Sequence, residues 1–263
     1  MTRIATYCVI TLVALLPARL WAGSANGEDN TFPTEEITQF AKSVERYAAG
    51  QGARAFIIAR VGRPPDELPK GIEFTHTAIA VYSTIEDKDG TPHKGYAIYN
   101  LYQKDPEVDQ SELVQDYPVD FFWSAKELKA GILIPTPQMQ QDLINLIASN
   151  DYAQLHHQNY SAIANPFDAR YQNCTEFTLD VINSAIYQTT DRDRLKRNAR
   201  AHFAPQRVHE SRLKMQLGGL LLKDVATDDH KGPVATATFH SIARYLDSNN
   251  LVKKMSVLTP ADF

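Results

Sequence analysis

Cysteine is scarce in this chain of 263 residues, which contains only Cys8 and Cys174. Cys8 lies within an apolar N-terminal segment that has the pattern of an export signal. Removal of that segment leaves Cys174 as the single thiol, and this excludes an intramolecular disulfide. An unpaired cysteine in an exported protein is uncommon, and it indicates either a reactive thiol or an inert thiol packed in the core.

Long apolar runs are also missing. Residues 4–16 are apolar, but a transmembrane helix needs about 20 such residues. Arg3 precedes this run and small residues follow it at 20–25, which is the pattern of a cleaved secretory signal. We therefore predict that residues 1–25 are a signal peptide and that the mature protein is periplasmic or secreted, with no stable membrane span. An uncleaved membrane anchor is the alternative.

The chain lacks an excess of positive charge. Its formal net charge is −4, and loss of Arg3 and Arg19 with the signal leaves 25 basic against 31 acidic side chains. This balance argues against a nucleic-acid partner. A basic segment nevertheless follows Asp191, and we interpret it as a solvated helix face rather than a patch that binds an anionic polymer. Its basic residues are Arg192, Arg194, Lys196, Arg197, Arg200, Arg207, Arg212 and Lys214.

The content of 43% hydrophobic and 22% charged residues is ordinary for a globular protein. Hydrophobic periodicity predicts four helices and three strands. The helices are 35–49, 138–149, an apolar and centrally buried one at 174–186, and a short one from Phe239 to Leu246 with Thr238 as its N-cap. The strands are 53–61, 76–83 and 96–103, of which the last two form a hairpin around a polar turn at 86–95.

Cys174 lies in the first turn of the predicted central helix. Asn173 is a favourable N-cap, and Glu176 stands where it completes a capping box. The helix dipole at this position favours a thiolate over a thiol. The backbone N–H of Cys174 is unpaired within the helix and is available for an oxyanion hole. The opposing interpretation is that the helix start is plain capping and that Cys174 only fills the core.

His76 begins a predicted strand and is a candidate base for the thiol. Asn100, in the next strand, is the candidate third member, because its side-chain carbonyl can accept the imidazole N–H. The alternatives are a structural His76 and an Asn100 on the solvent face of an edge strand. His93 is a rival base in a turn. The adjacent His156 and His157 have no carboxylate or cysteine nearby to complete a metal site, so we predict no metal and no cofactor.

These segments resemble a known superfamily. Residues 75–82 resemble the histidine-and-strand motif of circularly permuted papain-like proteins, and residues 173–177 resemble their later cysteine-helix motif. The order of histidine before cysteine is that of the permuted branch, which relates NlpC-type cell-wall peptidases to the lecithin:retinol acyltransferase group. Asn100 fits the place of the residue that orients the histidine, where many relatives carry a second histidine. A weaker likeness over most of the mature chain is to an exported proteobacterial family of unknown function.

The resemblance implies an α+β fold with a permuted papain-like core at 26–190, in which an antiparallel sheet packs on a central cysteine-bearing helix. Residues 191–263 would then form a C-terminal helical extension on that core. By the same resemblance Cys174 is the nucleophile, His76 the base and Asn100 its orienting partner, and an acyl thioester is the intermediate. The implied substrates are cell-envelope peptides, amides or lipids. The alternative is a non-catalytic periplasmic binding or scaffold protein that keeps the papain-like frame.

Overall fold

The structure is a computed structural model that describes residues 30–86, 89–209 and 224–263. The predicted signal peptide with Cys8, and Arg212 and Lys214 of the basic segment, lie outside the described residues. Helices make up 36% and strands 27% of the structure. Together with the large antiparallel sheet, these proportions confirm the α+β class.

A six-stranded antiparallel sheet forms the centre of the protein. Its strands are β1 (Ala55–Val61), β2 (His76–Glu86), β3 (Pro92–Gln103), β4 (Ser111–Asp116), β5 (Glu127–Pro135) and β8 (Val252–Leu258). Their spatial order is β4-β3-β2-β1-β5-β8. Two short strands, β6 (Gln206–Arg207) and β7 (Ala235–Thr236), pair separately.

Seven helices surround the sheet, and two short 3₁₀ turns lie at Pro65–Glu67 and Pro260–Asp262. The helices are α1 (Thr34–Gly50), α2 (Pro118–Trp123), α3 (Pro137–Ile147), α4 (Asp151–Gln154), α5 (Cys174–Tyr187), α6 (Arg192–His202) and α7 (Phe239–Ser248). Strand β1 is buried along its whole length. Its successive side chains point to opposite faces of the sheet, and each face is covered by a hydrophobic core. Phe56 and Ile58 pack with α1 and α2, whereas Ile57 and Ala59 pack with α3, α5, α6 and α7.

Most elements predicted from periodicity are confirmed, including the hairpin of β2 and β3 and the capping of α7 by Thr238. The predicted turn at 86–95 is too long, because β2 continues to Glu86 and β3 starts at Pro92. Periodicity missed β4, α2, β5 and β8, whereas the basic segment interpreted as a helix face does form α6. The strand β8 is exposed over most of its length, so its sequence carries little of the alternation that identifies a half-buried strand.

The C-terminal residues 191–263, expected as a helical extension, also supply a strand to the central sheet. Strand β8 pairs with β5, with Leu258 opposite Ala130. Helices α6 and α7 contribute Leu195, Phe239 and Leu246 to the core on the α5 side. In the part of the chain that the structure describes, no helix is long and apolar enough to cross a membrane.

Candidate functional site

Helix α5 begins as the sequence predicts. The Asn173 side-chain oxygen accepts hydrogen bonds from the backbone N–H groups of Thr175 and Glu176, at 3.1 and 2.9 Å. This cap satisfies two of the donors that a helix start leaves open. Cys174 is the first residue of the helix. The capping-box prediction for Glu176 is wrong, because its carboxylate does not return to the cap but binds Lys196.

Glu176, Asp180 and Lys196 form a buried ion triad behind the start of α5. The Lys196 Nζ lies 2.9 and 2.8 Å from the two Asp180 carboxylate oxygens and also binds Glu176. Burial raises the pKa of Glu176 to about 8, against the opposing charge of Lys196. Burial acts to lower the pKa of Lys196, but the two carboxylates overcome it and raise that pKa. The triad fastens α6 to α5, so Lys196 is an exception within the solvated basic segment.

The Cys174 thiol is 5% exposed and lies against the beginning of β2. Its Sγ is 3.7 Å from the Thr75 carbonyl oxygen and 3.8 Å from the Thr175 hydroxyl. Burial raises the pKa of the thiol, and hydrogen bonding by Thr77 and Thr175 only partly opposes this. The expectation that the helix start favours a thiolate is therefore wrong in direction, because desolvation outweighs the local dipole.

His76 and Asn100 meet, as predicted. The His76 Nε2 is 2.9 Å from the Asn100 side-chain oxygen. The imidazole stacks on Tyr102, with 4.8 Å between ring centroids, and contacts Phe121 of α2 at 5.4 Å. Asn100 is fully buried, and its strand β3 has neighbours on both sides. The alternative of an Asn100 on the solvent face of an edge strand is therefore wrong.

The hydrogen bonds of Asn100 also assign the imidazole tautomer. Its Nδ2 donates to the Ile98 carbonyl at 3.2 Å and to Asp116 at 2.8 Å. A carbonyl oxygen only accepts, so the amide nitrogen must face Ile98 and the amide oxygen must face His76. In the neutral ring, Nε2 then carries the proton and Nδ1 carries the lone pair. The Tyr102 hydroxyl extends the chain by donating to the second Asp116 oxygen at 2.7 Å.

Burial favours the uncharged forms of His76 and Asp116. It lowers the pKa of His76 to about 3, with a further contribution from the charge of Arg60 and an opposing one from the Asn100 hydrogen bond. Burial also raises the pKa of Asp116 to about 7, although Tyr102, Arg60 and Asn100 oppose the shift. Near neutral pH the imidazole is thus an uncharged proton acceptor.

Sequence reasoning missed Arg60, Tyr102 and Asp116. Arg60 is 1% exposed, donates to the Phe121 carbonyl, and places its guanidinium 5.2 Å from the Phe121 ring centroid. A single charge in the otherwise apolar strand β1 was the available signal, because a buried cation requires a specific partner. Tyr102 stands two residues after Asn100, and side chains at that spacing share one face of a strand.

The thiol and the imidazole approach β2 from different sides. Strand alternation directs His76 toward Phe121 of α2, whereas Thr77 contacts Thr175 and Thr178 of α5. The structure therefore brings His76 and Asn100 into contact and places the sulfur beside the carbonyl that precedes His76.

A cavity of about 130 Å³ opens beside the sulfur. Cys174, Thr75 and Asn173 are among its described lining residues, and His76 is not. Apolar side chains form most of the wall, and they are Leu68, Pro69, Ile72, Phe74, Ala162, Ile163, Val208, Val225 and Ala237. The thiol thus borders a space with room for a small ligand.

The other histidines lie elsewhere. His93 is exposed within β3, rather than in the predicted turn. The His156 imidazole lies 3.0 Å from the Ser111 hydroxyl, and the His157 backbone N–H donates to Gln172. Within the described ranges, no group of three or more His, Cys, Asp or Glu side chains is arranged to hold a metal ion.

Residues 47–246 match the family model described as an uncharacterized protein conserved in bacteria, DUF2145. The matched span includes Cys174, His76 and Asn100, together with the sheet from β1 to β5. Comparisons with curated proteins and with solved structures find no match. Since the model covers most of the chain, the protein belongs to the DUF2145 family.

Proposed function

We propose that the protein is an exported, cysteine-dependent hydrolase or acyltransferase of the permuted papain-like type, acting on a peptide, amide or lipid of the cell envelope. The observation that carries the proposal is the position of Cys174, which stands first in α5, borders a cavity and touches the strand that begins with His76. The signal-like N-terminus supports a periplasmic or secreted location.

In the proposed reaction the Cys174 sulfur attacks a carbonyl carbon while the thiol proton passes to the His76 Nδ1. The tetrahedral intermediate collapses, the carbonyl–heteroatom bond breaks, and the imidazolium returns the proton to the leaving amine or alcohol. Water, or another nucleophile in a transferase, then attacks the thioester and regenerates the thiol. The Asn100 side-chain oxygen accepts a hydrogen bond from the Nε2–H and holds the ring in the required tautomer.

The resting pair in this mechanism is a neutral thiol and a neutral imidazole, as the two pKa shifts indicate. Proton transfer therefore accompanies attack, unlike in a preformed thiolate–imidazolium pair. It also requires the Cys174 thiol and the His76 imidazole to lie within hydrogen-bonding distance of each other in the substrate complex. Catalytic hydrogen bonds are often long in ligand-free structures and tighten in the complex.

The test is to trap the thioester. The mature protein is incubated with p-nitrophenyl butyrate, and intact and peptide mass spectrometry measure acylation at Cys174. We expect the adduct in the wild type, none with Cys174→Ala, and strongly slowed formation with His76→Gln. His93→Gln is the matched control, because His93 is an exposed histidine on the same sheet. An unchanged rate with His76→Gln would show that His76 is not the base. Acylation of the Cys174→Ala protein would show that Cys174 is not the nucleophile.

A binding or scaffold role is the second candidate, and the site offers an observation in its favour. The thiol is buried and its pKa is raised. In this role Cys174→Ser would retain ligand binding and the cellular phenotype in full. Loss of the phenotype by a Cys174→Ser protein that remains folded would favour the enzyme.

A further inference from the structure

The cavity beside Cys174 is lined by one charged residue, Arg63, and by several polar groups that are bonded within the protein. The Gly62 N–H donates to the Thr75 hydroxyl at 2.8 Å, Thr236 donates to the Ala164 carbonyl at 3.0 Å, and Asn173 donates to the Ala162 carbonyl at 3.1 Å. The Thr238 hydroxyl accepts from the Ser241 N–H as the cap of α7. Apart from Arg63, what the described wall offers a ligand is therefore mainly apolar contact.

The apolar side chains come from several separate parts of the chain, including the segments before β2, before α5 and before α7. Ile72 and Phe74 precede β2, Ala162 and Ile163 precede α5, and Ala237 lies between β7 and α7. The space between these segments has a volume of about 130 Å³. An apolar protein cavity of roughly 150 Å³ holds a benzene molecule, so this one accommodates a group of about five or six carbon atoms.

We propose that this cavity is the acyl-side specificity pocket of the enzyme and that it selects a compact apolar group, such as a short aliphatic chain, on the carbonyl that Cys174 attacks. This inference rests on the proposed function only for the chemistry at the sulfur. It predicts a limit on ligand size and a preference for apolar groups, and both can be measured without turnover.

The binding experiment uses the mature Cys174→Ser protein and a series of inert amides: acetamide, butanamide, hexanamide and decanamide. Calorimetry or chemical-shift titration measures their affinities. Each added methylene that enters the cavity should strengthen binding about four-fold. We expect this gain to continue up to hexanamide and to stop or reverse at decanamide. A steady gain through decanamide would overturn the size limit.

Ala162→Leu tests the location of the pocket, because Ala162 is half-buried and lines the cavity. The larger side chain should weaken hexanamide binding by at least about tenfold, since it fills the space that several ligand methylenes occupy. Ala49→Leu is the matched control on the exposed end of α1 and should leave binding unchanged. Unchanged binding in a folded Ala162→Leu protein would overturn the proposal. If that variant does not fold, Ile72→Ala should shift the preference toward longer amides, and failure to shift has the same meaning.

Thioester formation by the wild type separates this inference from the proposed function. Acetyl, butyryl, hexanoyl and decanoyl p-nitrophenyl esters are compared by mass spectrometry at Cys174. Length-selective amide binding without any thioester would sustain the pocket and overturn the enzyme. Thioester formation at similar rates for all four chains would sustain the enzyme and overturn the pocket.

Discussion

At the start of β2, the two faces of the sheet carry different kinds of site. On the α2 side, His76, Asn100, Asp116 and Tyr102 form a chain of hydrogen bonds that orients an imidazole. On the α5 side, Cys174 borders an apolar cavity. The first arrangement holds a proton acceptor in one orientation, whereas the second provides space for a ligand. The residues that orient the imidazole and the residues that line the cavity therefore lie on opposite faces of the same strand.

The two sides also differ in the groups that contact a buried cation. Lys196, on the α5 side, has two carboxylates within hydrogen-bonding distance. Arg60, on the α2 side, donates to a carbonyl oxygen and stands near Asp116, whose pKa of about 7 allows it to take up a proton. Glu176 on the α5 side also has a raised pKa, about 8, so the two sides differ in the direct contacts of the cation rather than in proton uptake.

The largest effect is expected from breaking the ion triad. Lys196→Met leaves the Glu176 and Asp180 carboxylates buried without their cation, which should lower the free energy of unfolding by about 3–5 kcal/mol. Urea denaturation measures the change. Arg197→Met, at the next and exposed position of α6, should change stability little. Equal effects of the two substitutions would show that the triad does not stabilise the fold.

A smaller effect is expected from breaking the hydrogen-bond chain. Asn100→Leu removes the partner of the His76 Nε2 and one donor to Asp116. Buried polar atoms without partners cost about 1–3 kcal/mol each, and the same denaturation experiment detects this loss. Asn145→Leu on the exposed side of α3 is the control. A neutral result for Asn100→Leu would mean that the chain contributes no net stability.

The third prediction concerns opposite pH dependences within that chain. The pKa of His76 falls from 6.5 to about 3 on folding, so its contribution is present above pH 6.5 and is lost as the pH falls toward 3. The pKa of Asp116 rises from 3.8 to about 7, so its contribution is present below pH 3.8 and is lost as the pH rises through 7.

Stability differences between wild type and variant should reveal these two trends. The difference for His76→Gln should increase with pH between 3 and 6.5. That for Asp116→Asn should decrease between 3.8 and 7. Neither slope should exceed about 1.4 kcal/mol per pH unit, the limit for one proton. Slopes of the same sign would show that burial does not shift the pKa values of the two groups in opposite directions.

The smallest effect concerns the thiol itself. Because burial raises the pKa of Cys174, iodoacetamide at pH 7 should modify it at least about tenfold more slowly in the native protein than in the urea-unfolded protein. Peptide mass spectrometry quantifies modification at this residue, and the unfolded protein serves as the internal control. Faster modification of the native protein would indicate a thiolate and would show that burial does not keep Cys174 protonated.

Local sequence patterns were sufficient where one segment determines its own structure. The cap at Asn173, the buried helix α5 and the hairpin of β2 and β3 follow from side-chain chemistry and periodicity within a few residues. Prediction failed for Glu176 because its partner Lys196 lies 20 residues away in another helix. It also failed for β8, whose place in the sheet depends on pairing with β5. Long-range partners leave no local trace in one sequence.

The amino-acid sequence by itself determined that the chain is α+β, that Cys174 begins a capped central helix, and that His76 and Asn100 lie on neighbouring strands. Only the tertiary structure decided the charge states and surroundings of these groups. Their pKa values depend on desolvation and on neighbours such as Arg60 and Asp116, which folding brings together from distant parts of the chain. The same folding shaped the cavity at the sulfur, because its wall exists only where several separate segments pack together.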